Sequence, residues 1–278
     1  MKTALMIAGP DVPAAPLGLL SGTFEEKLEK AAALGCRGIE LMVRDPARLD
    51  RKTVASAVAK AGLAVPQLVT GELFGADGLC LLTSDEALYH RTEKRLEEVV
   101  DFAVELGAMV NIGRVRGQFR FLGPARDPWA AALERLGRVA DGAARKGVRI
   151  TVEPLNRYES DFIHNADEGL RLIRDLGRPN VGLMLDFFHM NIEDASIPKS
   201  LEAAGDRLWH VHISDTNRRA PGNGHMDFAA AFRTLRGMNY AGYVSAEILP
   251  LPDPDAAARQ TMDFLRRLMD QPGNPTLD

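Results

Sequence analysis

Four potential metal ligands follow short, mostly apolar segments in the second half of the chain. They are Glu153, Asp186, His212 and Glu247. A carboxylate buried among apolar residues without a counter-charge costs several kcal/mol, and neighbouring carboxylates also repel each other. A divalent cation bound between the four side chains would compensate that charge. These residue types therefore predict a metal site, and the alternative is a purely structural network of carboxylates.

The donor set limits the identity of the ion. Three carboxylates with one imidazole are better suited to Mn²⁺, Mg²⁺ or Co²⁺ than to structural zinc, which is usually bound by cysteine and histidine. The two cysteines, Cys36 and Cys80, lie far from these positions in the sequence, so no thiolate is available. We expect one divalent ion, with Mn²⁺ as the first choice, Mg²⁺ or Co²⁺ as alternatives and Zn²⁺ less well suited.

Three further side chains follow the same segments and could contact a substrate. Glu159 and His189 lie six and three residues after the first two predicted ligands, and Arg218 lies in a turn-rich loop after the third. Loops that follow strand ends often carry binding residues. The alternative for Glu159 and Arg218 is a solvated charge in a surface loop.

Eight apolar segments alternate with helical segments along the chain. Most helical segments end near a glycine, which adopts the left-handed conformation at a helix C-terminus without steric cost. Thr23, with Glu26 three residues later, predicts a capping box, and Asn165 predicts another helix N-cap. The predicted strands cover residues 3–8, 38–43, 63–69, 108–113, 148–153, 181–186, 208–213 and 243–248.

This alternation of strands and helices predicts an α/β fold with a parallel sheet. Eight strand–helix units in ~250 residues match a single (β/α)8 TIM barrel, in which the carboxyl ends of all strands meet at one rim. We expect one barrel domain over residues 1–278, with a loosely ordered tail after about residue 270. A doubly wound sheet would place a glycine-rich phosphate loop after the first strand, but Ala8-Gly9-Pro10-Asp11 lacks that motif.

Composition excludes several classes of function. The chain has 278 residues, a formal net charge of −4, 46% hydrophobic and 26% charged residues, as in ordinary globular proteins. It carries no basic tract for nucleic acid or an anionic membrane, and no apolar stretch of the ~20 residues that a membrane span needs. Two cysteines fit buried thiols in a reducing compartment. We expect a cytoplasmic protein with a small-molecule substrate and no nucleic acid or membrane partner.

Several motifs resemble the sugar isomerase and epimerase families of the xylose isomerase-like TIM barrel superfamily, and D-tagatose 3-epimerase-like ketose 3-epimerases in particular. The motifs are Glu153-Pro154-Leu155-Asn156-Arg157-Tyr158-Glu159, Leu185-Asp186-Phe187-Phe188-His189-Met190, His210-Val211-His212-Ile213-Ser214-Asp215 and Ala246-Glu247-Ile248. The resemblance implies one divalent metal on Glu153, Asp186, His212 and Glu247, and substrate contacts from Glu159, His189 and Arg218. It also implies a sugar or sugar-acid substrate and a homodimer or homotetramer.

The chemistry expected of such a site is proton transfer next to a carbonyl group. A metal bound to the carbonyl and a neighbouring hydroxyl oxygen stabilises the enediolate that forms when the proton leaves. Glu153 and Glu247 belong to different strands and can flank the metal, so one can take the proton and the other can return one to the opposite face. We predict an isomerase-class enzyme, a metal-dependent epimerase acting at C3 of a ketose or keto sugar acid.

Other activities fit the same metal site. One is an aldose–ketose isomerase of the sugar, inosose or hydroxypyruvate type. A non-catalytic sugar-binding barrel is a further alternative. An endonuclease IV-type enzyme would need a multi-zinc cluster and a basic groove, whereas the chain has only six histidines and an acidic balance.

The loops of the first four strands leave the sugar open. The loop 10–22 lacks the aromatic lining expected of free-ketose epimerases. Glu72 and Phe74 could line the mouth or could be exposed loop residues. Arg114 and Arg116 are expected to be structural ion-pair partners, and the alternative is that they hold the carboxylate of a sugar acid.

Overall fold

Eight strands and ten α-helices are defined in the computed structural model, which describes residues 1–13, 15–124 and 126–270. The strands are β1 Lys2–Ala8, β2 Gly38–Met42, β3 Gln67–Val69, β4 Met109–Ile112, β5 Ile150–Val152, β6 Val181–Asp186, β7 Leu208–Ile213 and β8 Tyr243–Ala246. The helices are α1 Phe24–Ala33, α2 Arg51–Lys60, α3 Gly71–Gly75, α4 Glu86–Leu106, α5 Pro128–Arg145, α6 Ala166–Leu176, α7 Phe187–Glu193, α8 Ile197–Ala204, α9 Phe228–Gly237 and α10 Pro254–Asp270.

The strands form a closed parallel barrel. Each strand pairs with the next along the chain, and β8 pairs with β1 to close the sheet. This architecture confirms the predicted (β/α)8 TIM barrel. The predicted loosely ordered tail after about residue 270 lies outside the described residues.

Helix boundaries follow the predicted capping residues. Thr23 and Glu26 form the capping box of α1, and Asn165 caps α6. Gly107 and Gly177 end α4 and α6 with φ values of 63° and 62°, in the left-handed region. In both cases the next strand begins within a few residues, so these glycines turn the chain back towards the barrel.

Strand β3 is shorter than predicted. It starts at Gln67 rather than at residue 63, because Pro66 has no N–H to donate into the sheet. Ala64 still forms an isolated bridge with Gly38 of β2. The chain therefore approaches β2 before it joins the regular ladder.

The strand residues that face the inside of the barrel include many polar side chains. Residues paired in register point to the same face of a sheet, and the two faces alternate along each strand. The alternate residues, such as Leu41 and Val211, belong to the main apolar cluster outside the barrel. The buried polar residues of the interior face are Glu40, Gln67, Asn111, Thr151, His210, His212 and Ser245. Branched apolar residues usually fill this space in such barrels.

The two cysteines and the apolar character of the helices complete the description of the fold. Cys36 and Cys80 are buried free thiols, as predicted. In the described part of the chain, no helix combines the length and apolar character needed to cross a membrane.

Candidate metal centre

The four predicted ligands meet at the carboxyl-terminal rim of the barrel. Glu153 follows β5, Asp186 ends β6, His212 lies one residue before the end of β7, and Glu247 follows β8. One potential ligand atom from each residue lies within 4.8 Å of the other three. The four side chains are at most 12% exposed. The structure therefore brings together the complete set that the sequence predicts.

Backbone hydrogen bonds hold the two glutamates as extensions of their strands. The Glu153 N–H donates to the Ile112 carbonyl, and the Glu247 N–H donates to the Ile213 carbonyl, both at 3.2 Å. Gly113 packs against the first of these carboxylates, since a Cβ atom at Gly113 would lie 2.6 Å from Glu153 Oε2. A side chain at position 113 would therefore displace the Glu153 carboxylate.

His212 contacts a carboxylate at each ring nitrogen. Its Nδ1 lies 2.8 Å from Glu247 Oε2, and its Nε2 lies 2.8 Å from Glu40 Oε2. Burial disfavours a charged imidazole, but the charges of Glu40 and Glu247 outweigh burial and raise the pKa of His212 well above its ordinary value. A metal ion at Nδ1 would replace the proton that this nitrogen otherwise carries.

Arg218 brings a second positive charge to the cluster. Its guanidinium contacts Asp186, and Nη2 lies 2.7 Å from Glu247 Oε2. The same group lies 4.6 Å from the centre of the Phe188 ring. Burial opposes the charged form, yet the two carboxylates outweigh it, so the pKa of Arg218 is raised. Arg218 thus lies directly beside the predicted metal ligands.

Asp215 organises the loop that carries Arg218. Its carboxylate accepts hydrogen bonds from the N–H groups of Thr216, Gly222 and Met226 at 2.9, 2.8 and 3.1 Å. This folds the loop back on itself. Arg218 has a φ of 62°, a conformation that costs a non-glycine residue ~1–3 kcal/mol. The contacts of Arg218 with the rim offset that cost.

His189 and Glu159 are joined through Asn156. The Asn156 backbone N–H donates to His189 Nδ1 at 3.2 Å, and its side-chain amide donates to Glu159 Oε1 at 3.0 Å. With Nδ1 as an acceptor, the ring proton lies on Nε2, which is 3.6 Å from Glu153 Oε1 and 3.7 Å from Asp186 Oδ2. Burial lowers the pKa of His189 despite the opposing charge of Asp186. A neutral ring therefore points its N–H at the cluster.

The two glutamates of the cluster have pKa values shifted in opposite directions. Burial raises the pKa of Glu153 well above its ordinary value, and the charge of Glu247 raises it further. Burial acts in the same direction on Glu247, but Arg218 and His212 outweigh it, so the pKa of Glu247 lies well below its ordinary value. The two glutamates therefore differ in how readily each releases a proton.

The donor set fits a divalent cation. Three carboxylates and one imidazole converge from four successive strands, which is the oxygen-rich set that Mn²⁺, Mg²⁺ and Co²⁺ accept. Burial and the charge of Glu247 both disfavour ionised Glu153, whose negative charge would add to the two carboxylates already paired with Arg218. A divalent ion in contact with the four side chains would compensate it.

Sequence reasoning missed three residues that shape this centre. They are Glu40, which contacts His212, Asn156, which joins His189 to Glu159, and Asp215, which orders the Arg218 loop. Glu40 could have been found from the sequence, because it is a charged residue inside the apolar run 38–43. The partners of Asn156 and Asp215 became visible only in the folded chain.

The two arginines after β4 have separate environments. Arg116 is fully buried, and its guanidinium donates to the carbonyl oxygens of Gly113 and Glu153 at 3.0 and 2.8 Å. Hydrogen bonds to carbonyl oxygens thus replace the expected ion pair, and Arg116 fastens the backbone behind Glu153. Arg114 is exposed and lies 5.0 Å from the centre of the half-buried Phe74 ring. Only Arg114 is available to a substrate.

Glu72 is half-buried beside the mouth of the barrel. Burial raises its pKa, while the charges of Arg114 and Arg44 oppose that shift. Glu72 and Phe74 both belong to α3, which follows β3 directly. Both side chains are half-buried in a helix, so the expectation that they are exposed loop residues is wrong, and lining of the mouth is the alternative that their positions favour.

Comparison with known proteins gives consistent matches along the chain. A model of the family described as xylose isomerase-like TIM barrel matches residues 28–268. An L-ribulose 3-epimerase from Methylomonas sp. (strain DH-1) is 33% identical over 241 residues, which cover 86% of this chain and 82% of that protein. A 3-dehydro-D-guloside 4-epimerase from Escherichia coli (strain K12) is 35% identical over 182 residues, covering 62% of this chain and 70% of that protein.

The solved structures agree with the sequence matches. The crystal structure of a D-allulose 3-epimerase from Methylomonas sp. superposes with a TM-score of 0.79 and 26% identity, over 96% of this chain and 98% of that chain. These relatives are named as epimerases, which are isomerase-class enzymes, as the sequence motifs predict. The chain belongs to the xylose isomerase-like TIM barrel family.

Proposed function

We propose that the protein is a divalent-metal-dependent epimerase that inverts C3 of a ketose or keto sugar acid. The observation that carries the proposal is the convergence of Glu153, Asp186, His212 and Glu247 at the barrel rim. The 3-epimerase names of the Methylomonas relatives support this choice of reaction.

In this proposal the four side chains hold one ion, with Mn²⁺ as the first choice and Mg²⁺ or Co²⁺ as alternatives. When bound, such an ion polarises the substrate carbonyl and stabilises the negative charge that develops on the substrate oxygens. His212 gives up the proton on Nδ1 to take part.

Glu153 and Glu247 exchange the proton at C3. They follow β5 and β8 and so flank the ligands on β6 and β7 around the rim. The carboxylate that is ionised takes the proton from one face of the carbon, leaving an enediolate. The other glutamate returns a proton to the opposite face. A glutamate pair with pKa values pushed apart suits this reaction, because one member can accept while the other donates.

The remaining predicted residues orient the sugar. The neutral His189 donates its Nε2–H to a substrate oxygen, and Arg218 donates to oxygens next to Glu247. Glu159 lies at the outer end of the Asn156 hydrogen bonds and accepts from a hydroxyl group or its bound water. Each contact fixes the sugar so that its C3–H lies between the two glutamates.

The test is deuterium incorporation in D₂O with the Mn²⁺-loaded protein and a panel of ketoses, keto sugar acids and aldoses. Inversion at C3 is expected to place deuterium at C3 of both the product and the recovered substrate, as seen by NMR. The Glu153→Gln variant serves as the negative control. Absence of exchange with every keto sugar would reject the proposal and favour a non-catalytic sugar-binding barrel.

A second candidate is inversion at C4 of a 3-keto glycoside. It is favoured by the E. coli relative, which is named a 3-dehydro-D-guloside 4-epimerase and is 35% identical. In a 3-keto sugar C4 lies next to the carbonyl group, so its C–H is acidic. The same glutamate pair could therefore remove and return the C4 proton. Deuterium at C4 would identify this activity, and deuterium at C1 or C2 would identify an aldose–ketose isomerase.

The partner of this site is a small sugar or sugar-acid molecule. Assembly as a homodimer or homotetramer and a cytoplasmic location remain part of the proposal. Light scattering of the purified protein tests the assembly, and a monomer at micromolar concentration would contradict it.

A further inference from the structure

The barrel interior beneath the rim contains a carboxylate that the proposed reaction does not use. Glu40 lies in the middle of β2 and is fully buried. Apolar branched residues normally occupy such positions, and a buried carboxylate costs several kcal/mol unless its partners compensate it. The position of Glu40 therefore calls for an explanation in terms of what it contacts.

Three side chains surround the Glu40 carboxylate. His212 Nε2 lies 2.8 Å from Oε2 and 3.0 Å from Oε1, and His210 Nε2 lies 3.0 Å from Oε1. The Gln67 side-chain amide donates to Oε1 at 2.9 Å, and Gln67 itself accepts a hydrogen bond from Thr151. Glu40 is thus held from two sides while it accepts from His212.

This arrangement determines which nitrogen of His212 faces the rim. A carboxylate accepts hydrogen bonds only, so the N–H directed at Glu40 is the one on Nε2. Nδ1 then points the other way, 2.8 Å from Glu247 Oε2. In the metal-free protein Nδ1 carries a proton towards Glu247, and a cation among the rim carboxylates would replace that proton.

We propose that Glu40 is a positioning residue for the metal centre, which holds the His212 ring with Nε2 protonated and Nδ1 presented to the cation. The inference rests on the proposed metal site. A hydrogen bond from the outer nitrogen of a ligating histidine to a carboxylate fixes the tautomer and the ring orientation and makes the ligand more basic. A hydrogen bond from Gln67 holds Glu40 in turn, and His210 lies beside it.

Glu40→Gln keeps the size of the side chain and removes its charge. We expect the dissociation constant for Mn²⁺ to rise about 10–100-fold, since loss of such a partner typically has this effect. The measurement is titration with Mn²⁺, followed by the EPR signal of the free ion, on protein first treated with EDTA. Circular dichroism and thermal melting of the metal-free variant check that it is folded.

Thr151→Val is the matched control. It also removes a buried polar group from the barrel interior and breaks the hydrogen bond to Gln67, but it leaves every contact of His212 in place. Its Mn²⁺ affinity is expected to remain within about twofold of wild type. An equal loss of affinity in both variants would show a general effect of interior packing and overturn the assignment to Glu40.

A measurement on the unaltered sequence covers the case in which Glu40→Gln does not fold. Long-range ¹H–¹⁵N spectra of ¹⁵N-histidine-labelled protein with Mg²⁺ are expected to show His212 protonated at Nε2 and ligated through Nδ1. The reverse pattern would overturn the inference. The two proposals fail differently: wild type that binds no divalent ion refutes the metal site, whereas wild type and Glu40→Gln with equal affinity refute only the role of Glu40.

Discussion

The barrel interior and the rim above it both bury ionisable side chains, but they balance charge in different ways. In the interior, Glu40 lies within hydrogen-bonding distance of two imidazoles, and these lower its pKa well below the ordinary value although burial would raise it. At the rim, the pKa of Glu153 is raised, because burial and the charge of Glu247 act in the same direction. The same residue type therefore has opposite proton affinity in two neighbouring regions.

The interior and the rim differ in the side chains that lie beside their carboxylates. One interior carboxylate lies beside His210 and His212, whereas three rim carboxylates share Arg218 and His212. With Glu153 ionised, the three rim carboxylates carry more negative charge than Arg218 and His212 offset, and a divalent cation would compensate that excess. The groups beside each buried carboxylate thus set the direction in which its pKa shifts.

The largest expected effect is on catalysis by the rim glutamates. Glu153→Gln and Glu247→Gln should each reduce turnover and deuterium exchange by ~10³-fold, because each removes a group that accepts or donates the proton. Thr151→Val, which alters the interior alone, should retain turnover of the wild-type order. The measurement is epimerisation at saturating Mn²⁺. Near-normal turnover in either glutamate variant would refute its assigned role.

The stability of the metal-free protein should separate the same two glutamates. Glu247→Gln leaves Arg218 and His212 as buried cations with fewer partners, so we expect a loss of about 3–5 kcal/mol in the free energy of unfolding. Glu153→Gln removes a carboxylate whose ionisation is disfavoured, so this variant should be at least as stable as wild type. Urea unfolding in EDTA at neutral pH provides both values. The opposite ranking would contradict the charge balance described above.

A third prediction concerns Arg218, the cation that the chain places among the rim carboxylates. Arg218→Ala should raise KM about 10–100-fold, which corresponds to the loss of a charged hydrogen bond of ~1.5–3 kcal/mol. Its Mn²⁺ content should equal that of wild type, because Arg218 is not a ligand. Steady-state kinetics and metal analysis of the purified variant test both statements. Loss of the metal would show that Arg218 is needed to assemble the site.

The pH dependence of metal-free stability provides a fourth test of the rim. The pKa of Glu153 is higher in the folded state than in the unfolded state, so the folded state binds more protons as this group titrates. Its contribution to stability therefore falls as pH rises above ~4.3, the ordinary value for glutamate. The stability advantage of Glu153→Gln should widen from about pH 5 to about pH 8. A difference in unfolding free energy between wild type and Glu153→Gln that stays constant with pH would contradict the raised pKa of Glu153.

The smallest expected effect concerns an ion pair outside both regions. Asp255 lies 2.8 Å from Lys30 Nζ, and hydrogen bonds from Lys30 and Ser21 outweigh burial and lower the pKa of Asp255 to about 2. Asp255→Asn should cost less than ~1 kcal/mol at neutral pH, because solvent screens this pair. Since the pKa is lowered on folding, the cost should fade as pH falls from ~3.9 towards 2. A cost of several kcal/mol would mean that solvent screening does not distinguish surface pairs from the rim.

Much of the fold could be predicted because its signals are local. The capping box at Thr23 and the glycine after α4 mark helix ends through backbone conformation and short hydrogen bonds. The start of β3 was predicted too early, since the apolar run before Pro66 does not reveal where the ladder loses a donor. The strand ends at the rim could be predicted from the sequence, because ionisable residues there interrupt apolar runs.

The candidate site could be predicted in its residues but only partly in its interactions. Glu153, Asp186, His212 and Glu247 follow from strand ends that share one rim, and the structure places them together. The contact of Glu40 with His212 spans 172 residues, and no local pattern specifies it. Arg116 shows the same limit, because its hydrogen bonds to carbonyl oxygens depend on how the loop after β5 folds.

The amino-acid sequence by itself determined the alternation of strands and helices, the closed barrel and the identity of the ionisable side chains at four strand ends, because these depend on periodicity, capping and residue type. The tertiary structure decided which of those side chains have raised or lowered pKa values, which lie beside a cation, and which nitrogen of His212 faces the rim. Such properties depend on distances of a few ångströms between residues far apart in the chain. Only the strand register and the closure of the barrel set those distances.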